Sequence, residues 1–245
     1  RKVSLFCNVS MDSVIESIDV STIYEVPLLM LKEKLDITVL HKLNLSEGTK
    51  PDLTNWKQFV AKLKNPKKTV TIGLVGKYTE LPDAYKSIVE ALIHAGAVNE
   101  CKVNLESIHS EDIDMADPDG KLGHLKGILV APGFGHRGID GKILAAKYAR
   151  ENNIPFFGIG LGMQCAVIEF ARNVLGYSDA NSTEMVRHTS HPVIDLMESH
   201  KGITEKGGTM RLGSYSCVLK KKTKAYEAYG KPEIKERHRH RYEFN

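Results

Sequence analysis

The stretch that most constrains this chain runs from Ile154 to Phe170, IPFFGIGLGMQCAVIEF. A short apolar run, Ile154-Pro155-Phe156-Phe157, ends in Gly158-Ile159-Gly160-Leu161-Gly162. Met163, Ala166, Val167 and Phe170 follow at the spacing of the buried face of a helix. Strand, glycine corner and helix form the pattern G-x-Nu-x-G. Its flanking glycines let the chain turn sharply, so that the central residue is displayed at the top of a sheet. The first N–H groups of the helix can then bind an anion. Here the central residue is Gly160, which has no side chain with which to attack.

Around that corner the chain has an α/β rhythm from Thr69 onward. Thr69 to Val75 reads as a strand running into Gly76, and Asp83 as the cap of a helix with Tyr85, Ile88, Val89 and Leu92 on one face. Cys101, Val103 and Leu105 alternate as a strand, and Gly127 to Ala131 has the unbroken apolarity of a buried parallel one. A helix follows through Ile143, Leu144, Ala146 and Tyr148. Beyond Glu184, strands are expected at His191 to Met197, Thr209 to Leu219 and Glu233 to Phe244. The last alternates Arg237, Arg239 and Arg241 against His238, His240 and Tyr242, which gives one basic face. The fold expected is a doubly wound, largely parallel sheet with helices on both faces and the corner at the carboxyl edge of the strands.

Upstream, Lys2 to Val9 reads as a strand and Leu28 to Leu45 as a helical pattern through Leu28, Leu31, Leu35, Val39 and Leu43. Ser46 to Lys68 is polar, with one amphipathic helix around Trp56, Phe59, Val60 and Leu63. It suits an interdomain linker, or equally a surface helix packing the sole Trp on a core. The domains expected are 1–47, a linker at 48–68, and 69–245.

A chain of 245 residues can bury a full core. Its net charge of +4 is too mild to argue for a nucleic-acid partner; Lys220 to Lys222 and Lys224 read as a solvated loop. Cys7, Cys101, Cys165 and Cys217 lie far apart with no C-x-x-C pair, and three of them sit in apolar surroundings. That suits reduced core thiols in a cytoplasmic protein. No apolar run reaches the ~18 residues of a membrane span, so no membrane partner is expected. His41, His94, His109 and His124 show no metal-ligand spacing, and no metal site is assigned.

Gly133-Phe134-Gly135-His136-Arg137-Gly138 is formally the dinucleotide fingerprint G-x-G-x-x-G. Pro132 stiffens that turn, and no acidic residue ends a second strand about 20 residues later, where a ribose needs one. It is no P-loop either, because Gly141-Lys142 is followed by Ile143. Cys165 cannot replace a missing nucleophile at 160: five residues along a helix it is turned by about 500°.

Several blocks resemble one family closely. GIxLGMQ (158–164) is followed by NSTE (181–184), with GKYTELPDAYKSIVEAL (76–92), APGFGHRGIDGKI (131–143), GGTMRLG (207–213) and ERHRHRYEFN (236–245). Together they resemble the glutamine-hydrolysing domain of the CTP synthase family, in unchanged order from end to end. GGTMRLG and RHRHRYE are peculiar to that family among glutamine amidotransferases. The resemblance implies a class I glutamine amidotransferase (flavodoxin-like) fold over 69–245, short of its C-terminal part, and a tail of the preceding amidoligase domain over 1–47. It departs from the family at one atom, since position 160 is a cysteine there.

The resemblance also implies roles. The N–H groups of Gly133 and Leu161 form the oxyanion hole, and two fixed donors are worth a few kcal/mol of barrier each. Phe134 and Gly162 border the glutamine, Glu184 faces its ammonium, Arg241 meets its carboxylate, and Gln164 and Tyr242 line the pocket. The alternative for Glu184 is a helix-capping or surface carboxylate, and for Arg241 a solvated strand charge. The family's catalytic base and acid come from an H-P-E some tens of residues beyond RYE, whereas His191-Pro192-Val193 has valine third. Lys2 and Phe6 match positions bordering a pyrimidine nucleotide, and Asp19 and Val20 match positions near the ATP adenine. By the same resemblance the intact protein takes glutamine, UTP and ATP with Mg in the amidoligase domain, responds to GTP, and forms homotetramers; the glutaminase domain itself needs no cofactor. With Gly160 at the corner, this chain is expected to be catalytically dead. Three readings remain open: an inactivated form of a true CTP synthase, a natural pseudo-glutaminase serving as a regulatory or binding module, and a dinucleotide binder using Gly133 to Gly138.

Overall fold

The structure, a computed structural model, describes residues 1–48, 50–197 and 210–245. Gly207, Gly208 and Thr209 of the GGTMRLG block lie outside the described residues. The chain divides into two compact units, 1–70 with 87–103, and 71–86 with 104–245.

The first unit holds α1 (Lys2–Phe6), α2 (Val26–Lys32), α3 (Leu35–Lys42) and α4 (Thr54–Lys64). It also takes the first residues of β1 (Lys68–Gly76), most of α5 (Lys86–Val98) and the start of β2 (Cys101–His109). Two expectations are corrected here. Lys2 to Val9 is no strand: Leu5 and Cys7 donate their N–H groups to the carbonyls of Arg1 and Val3, closing a helical turn. Local bonds satisfy a short segment's backbone where no neighbouring strand does so. The helical pattern from Leu28 to Leu45 is two helices, because Lys34 adopts the left-handed conformation (φ 59°) between them. Trp56 of α4 donates its indole N–H to the carbonyl of Tyr24 at 2.8 Å and packs with Tyr24 and Phe59. The Tyr24 hydroxyl also meets Glu90 (2.5 Å) and His94 (2.6 Å).

The second unit is organised by a four-stranded sheet of order β2-β1-β3-β4, with β3 at Gly127–Val130 and β4 at Phe156–Gly158. β1 pairs in parallel with β3 (Leu74 opposite Leu129), and β3 with β4 (Val130 opposite Gly158). Strand order reverses beside β1, the arrangement of doubly wound sheets, which bind ligands at the carboxyl ends of the strands there. Every residue of β3 is buried, as its unbroken apolarity predicts. The short α6 (Asp119–Leu122), α7 (Ile139–Glu151) and α8 (Leu161–Asn173) complete this part. One core cluster centres on Val75, Ile128, Val130 and Ala149, and a second on Ile143, Leu161, Cys165 and Ile194.

The remainder is two smaller sheets. β5 (Asn181–Ser182), β6 (Pro192–Leu196) and β9 (Tyr242–Phe244) form one; β7 (Arg211–Val218) and β8 (Glu233–His240) form an antiparallel ribbon, with α9 (Lys224–Tyr229) between them in sequence. The single strand expected over Glu233 to Phe244 is therefore two. Its first part pairs with β7 and its second with β6, and the chain changes partner at Arg241.

Three further expectations are corrected. Met163 and Phe170 of α8 are exposed, and the helix instead buries Leu161, Gly162, Gln164, Cys165, Ile168, Glu169 and Ala171. Asp83 sits inside a 3-10 turn, Pro82–Tyr85, rather than capping α5. Of the four free cysteines only Cys165 is a core thiol; Cys7 and Cys217 are exposed and Cys101 is half-buried. Among the described residues, no helix is long and apolar enough to cross a membrane.

Candidate functional site

The glycine corner forms as its spacing requires. A Cβ on Gly158 would stand 2.5 Å from the Met163 nitrogen, and one on Gly162 would stand 2.1 Å from the Val130 carbonyl oxygen. β4 can reverse into α8 and press it against β3 only without side chains at both positions. Between them Gly160 caps α8 with φ 54° and ψ −111°. Cys165 is fully buried on the core side of α8, and burial pushes its thiol up to about 12. A thiol in that state is no nucleophile.

Facing the corner is the loop that leaves β3. Pro132, Gly133 and Phe134 share one cavity with Gly160, Leu161, Gln164, Glu184, Met210, Arg239, His240, Arg241 and Tyr242. Its volume is about 170 Å³, below the roughly 300 Å³ at which drug-sized sites begin, and of a scale for a small metabolite. Among the described residues neither the N–H of Gly133 nor that of Leu161 donates to a backbone acceptor. Two donors in one cavity are thus open to a ligand.

The charges are arranged at the other wall. Glu184, just past β5, accepts the Gly135 N–H at 3.5 Å. That bond spends a donor which a dinucleotide reading would give to a pyrophosphate. Arg239 and Arg241 enter from the junction of β8 and β9. Gln164 donates to the Tyr242 carbonyl at 3.4 Å, tying the start of β9 to α8. Burial, then the neighbouring Glu184 carboxylate, raises the Tyr242 phenol above its ordinary pKa, so it stays a hydroxyl donor. His240 accepts or donates to His238 at 2.9 Å, and burial, with Arg211 nearby, lowers His238.

Of the residues singled out from the sequence, Gly133, Phe134, Gly160, Leu161, Gln164, Glu184, Arg241 and Tyr242 come together in this cavity. Gly162 does not line it; it is the contact between α8 and β3. Lys2, Phe6, Asp19 and Val20 belong to the first unit, with Phe6 89% exposed. His191 is elsewhere, stacked on Tyr177 and 2.5 Å from Asp179.

Pro132, Met210, Arg239 and His240 line the cavity without having been singled out. Two buried lysines stand behind it. Lys77 donates to the Phe134 carbonyl and Lys142 to that of Ala131, the latter at 3.0 Å, and both are buried. The sequence did carry a signal for Lys142, which shares the 139, 142, 143, 146 face of α7 with apolar residues. Among the described residues no three His, Cys, Asp or Glu side chains are grouped to hold a metal.

Comparison with known proteins places this geometry. Residues 80–245 match the family Glutamine amidotransferase class-I, and residues 1–45 match CTP synthase N-terminus. CTP synthase of Cytophaga hutchinsonii is 66% identical over the whole of this chain and 46% of its own length; that of Flavobacterium johnsoniae is 63% identical with the same coverage. The chain therefore spans about half the length of the curated relatives it matches. Among solved structures, the glutaminase domain of Trypanosoma brucei CTPS with bound acivicin superposes with a TM-score of 0.66 at 39% identity, covering 72% of this chain and 68% of that one. The chain belongs to the class-I glutamine amidotransferases, in the glutaminase-domain family of the CTP synthases.

Proposed function

We propose that the cavity is a glutamine site. Glu184 takes the ammonium, Arg241 the carboxylate, and Phe134, Gln164 and Tyr242 shape the space between. The γ-amide then lies at the glycine corner, where the N–H groups of Gly133 and Leu161 receive the charge that develops on its oxygen. The observation that supports this is the convergence in one cavity, from four separate segments, of the Glu184 carboxylate, the Arg241 guanidinium and two N–H groups without a partner among the described residues. In the intact protein, ammonia released here passes to an amidoligase domain. There ATP phosphorylates O4 of UTP, and ammonia displaces the phosphate to give CTP. By the same reading, that domain uses Mg, GTP is the activator and the assembly is a homotetramer, in the cytoplasm.

This chain lacks a side chain at residue 160, so it binds glutamine without hydrolysing it. Gly160 itself favours a second reading, a pseudo-glutaminase that serves as a binding module. Thermal shift with glutamine, with NAD and with neither tests the first point: stabilisation by glutamine alone is expected, and R241A should abolish it. A shift with NAD and none with glutamine would overturn the proposal. Introducing G160C into the full-length protein and assaying glutamine-dependent CTP formation separates the two readings. Recovery marks an inactivated CTP synthase, and continued silence marks a binding module.

A further inference from the structure

Lys142 has no exposed surface, although it carries a charged group on the core face of α7. Lys77, at the end of β1, is 5% exposed. Neither is in an ion pair with a carboxylate among the described residues; each Nζ instead donates to a carbonyl of the loop leaving β3, Ala131 for Lys142 and Phe134 for Lys77. Burying ammonium groups without counter-charges is costly, and an apolar side chain of the same volume would fill either place. The bonded carbonyls flank Gly133. A Cβ on Gly133 would lie 3.2 Å from Lys77 Cε and 3.5 Å from Lys142 Nζ, so the two lysines form the wall directly behind it. The Phe134–Gly135 peptide is gripped at both ends, its carbonyl by Lys77 and its N–H by Glu184.

We propose that Lys142, with Lys77, is a positioning residue for the Gly133 donor: the pair clamps the 131–134 loop from behind and makes the acyl end of the cavity cationic. This deepens the glutamine reading and rests on it for the identity of the acyl group. Fixed positive charge in a water-poor site favours an anion over a neutral group at the same place. Burial pushes Lys142 down to about 8. The titratable groups acting on it are the Cys165 thiol of α8 and the Lys77 ammonium, while Glu111, Glu184 and Arg137 act on Lys77. Cys165 stays a neutral thiol in this range, so the charge lost from this wall near pH 8 is that of Lys142, and burial lowers Lys77 in the same direction.

The test compares binding of L-glutamine and L-glutamate by calorimetry at about pH 6.5 and about pH 9.5. The two ligands differ only at the γ-group, so their common α-amino titration cancels in the ratio. In the unmodified chain the relative affinity for glutamate should fall about tenfold across that range, and in K142M the ratio should be low at both pH values. The same ratio and the same pH course in both proteins would overturn the proposal. Amide hydrogen exchange supplies a readout that needs no ligand. In K142M, exchange at Gly135, whose N–H is held by Glu184, should rise about tenfold relative to Val130, while the melting temperature is not lowered, because a buried charge has been removed. Unchanged loop exchange overturns the clamp whatever binds. Raised exchange with no binding of either amino acid leaves the clamp standing and removes the glutamine reading instead.

Discussion

Gly160 is where chemistry and conformation meet in this chain. Its φ of 54° lies where L side chains are strained, yet a Cβ would meet nothing closer than Pro132 Cβ at 3.5 Å. The site has room for a side chain and charges strain for it. G160C should lower unfolding free energy by about 1–3 kcal/mol in urea titrations. Its new thiol, at the start of α8, should nonetheless react with iodoacetamide long before Cys165 does, as read by peptide mapping. Equal, slow labelling of both thiols would mean that the corner displays nothing. Lys142 sets a second residue-scale expectation. Burial lowers its ammonium to about 8 in the folded chain, against about 10.5 for a free lysine side chain. Between those values the unfolded chain holds a proton that the folded chain has released, so this residue's contribution to stability rises with pH. Below about 8 both states are charged and the full cost of burial applies. The stability advantage of K142M over the parent should therefore shrink, by on the order of 2–3 kcal/mol, between about pH 7 and about pH 10.5. A constant difference would show that Lys142 keeps its proton.

At the scale of elements, α8 is held by contacts its apolar pattern does not reveal. Arg150 of α7 makes a two-nitrogen bond to Glu169, with distances of 2.7 to 3.1 Å, and Glu169 is 2% exposed. On the opposite contact, Gly162 lets the helix backbone approach the Val130 carbonyl. G162A puts a methyl against backbone that cannot swing aside, and a loss of about 3 kcal/mol is expected from denaturation midpoints. A loss under about 0.5 kcal/mol would mean that α8 shifts freely on β3. Such contacts explain why the apolar spacing of α8 points to the wrong face. Met163, Ala166, Val167 and Phe170 have the right spacing, but Cys165, Ile168 and Glu169 are the residues that α7 and the sheet cover.

At the scale of the molecule, the cavity joins segments far apart in sequence, from the β3 loop at 132–134 to the strand junction at 239–242. A ligand that bridges them should stabilise the unit that contains them. Cys165, with no exposed surface, reports the opening of that unit. Glutamine at a hundred times its Kd should raise the free energy for exposing Cys165 to a thiol reagent under urea by about 2.7 kcal/mol. Labelling midpoints that glutamine leaves in place would place its binding elsewhere or nowhere.

Turn geometry and periodicity act over a few residues, so the glycine corner, the buried run of β3 and the order of the main strands and helices from Thr69 through Asn173 were legible along the chain. The sequence also named most of the cavity, through blocks of residues shared with a family. Which face of α8 is covered, the change of sheets at Arg241 and the place of Lys77 and Lys142 behind Gly133 follow from contacts between distant segments. Those outcomes depend on which distant segment supplies the neighbouring atoms. A lysine among apolar residues reads as a misfit along the chain and becomes intelligible only once the carbonyls it holds are in place.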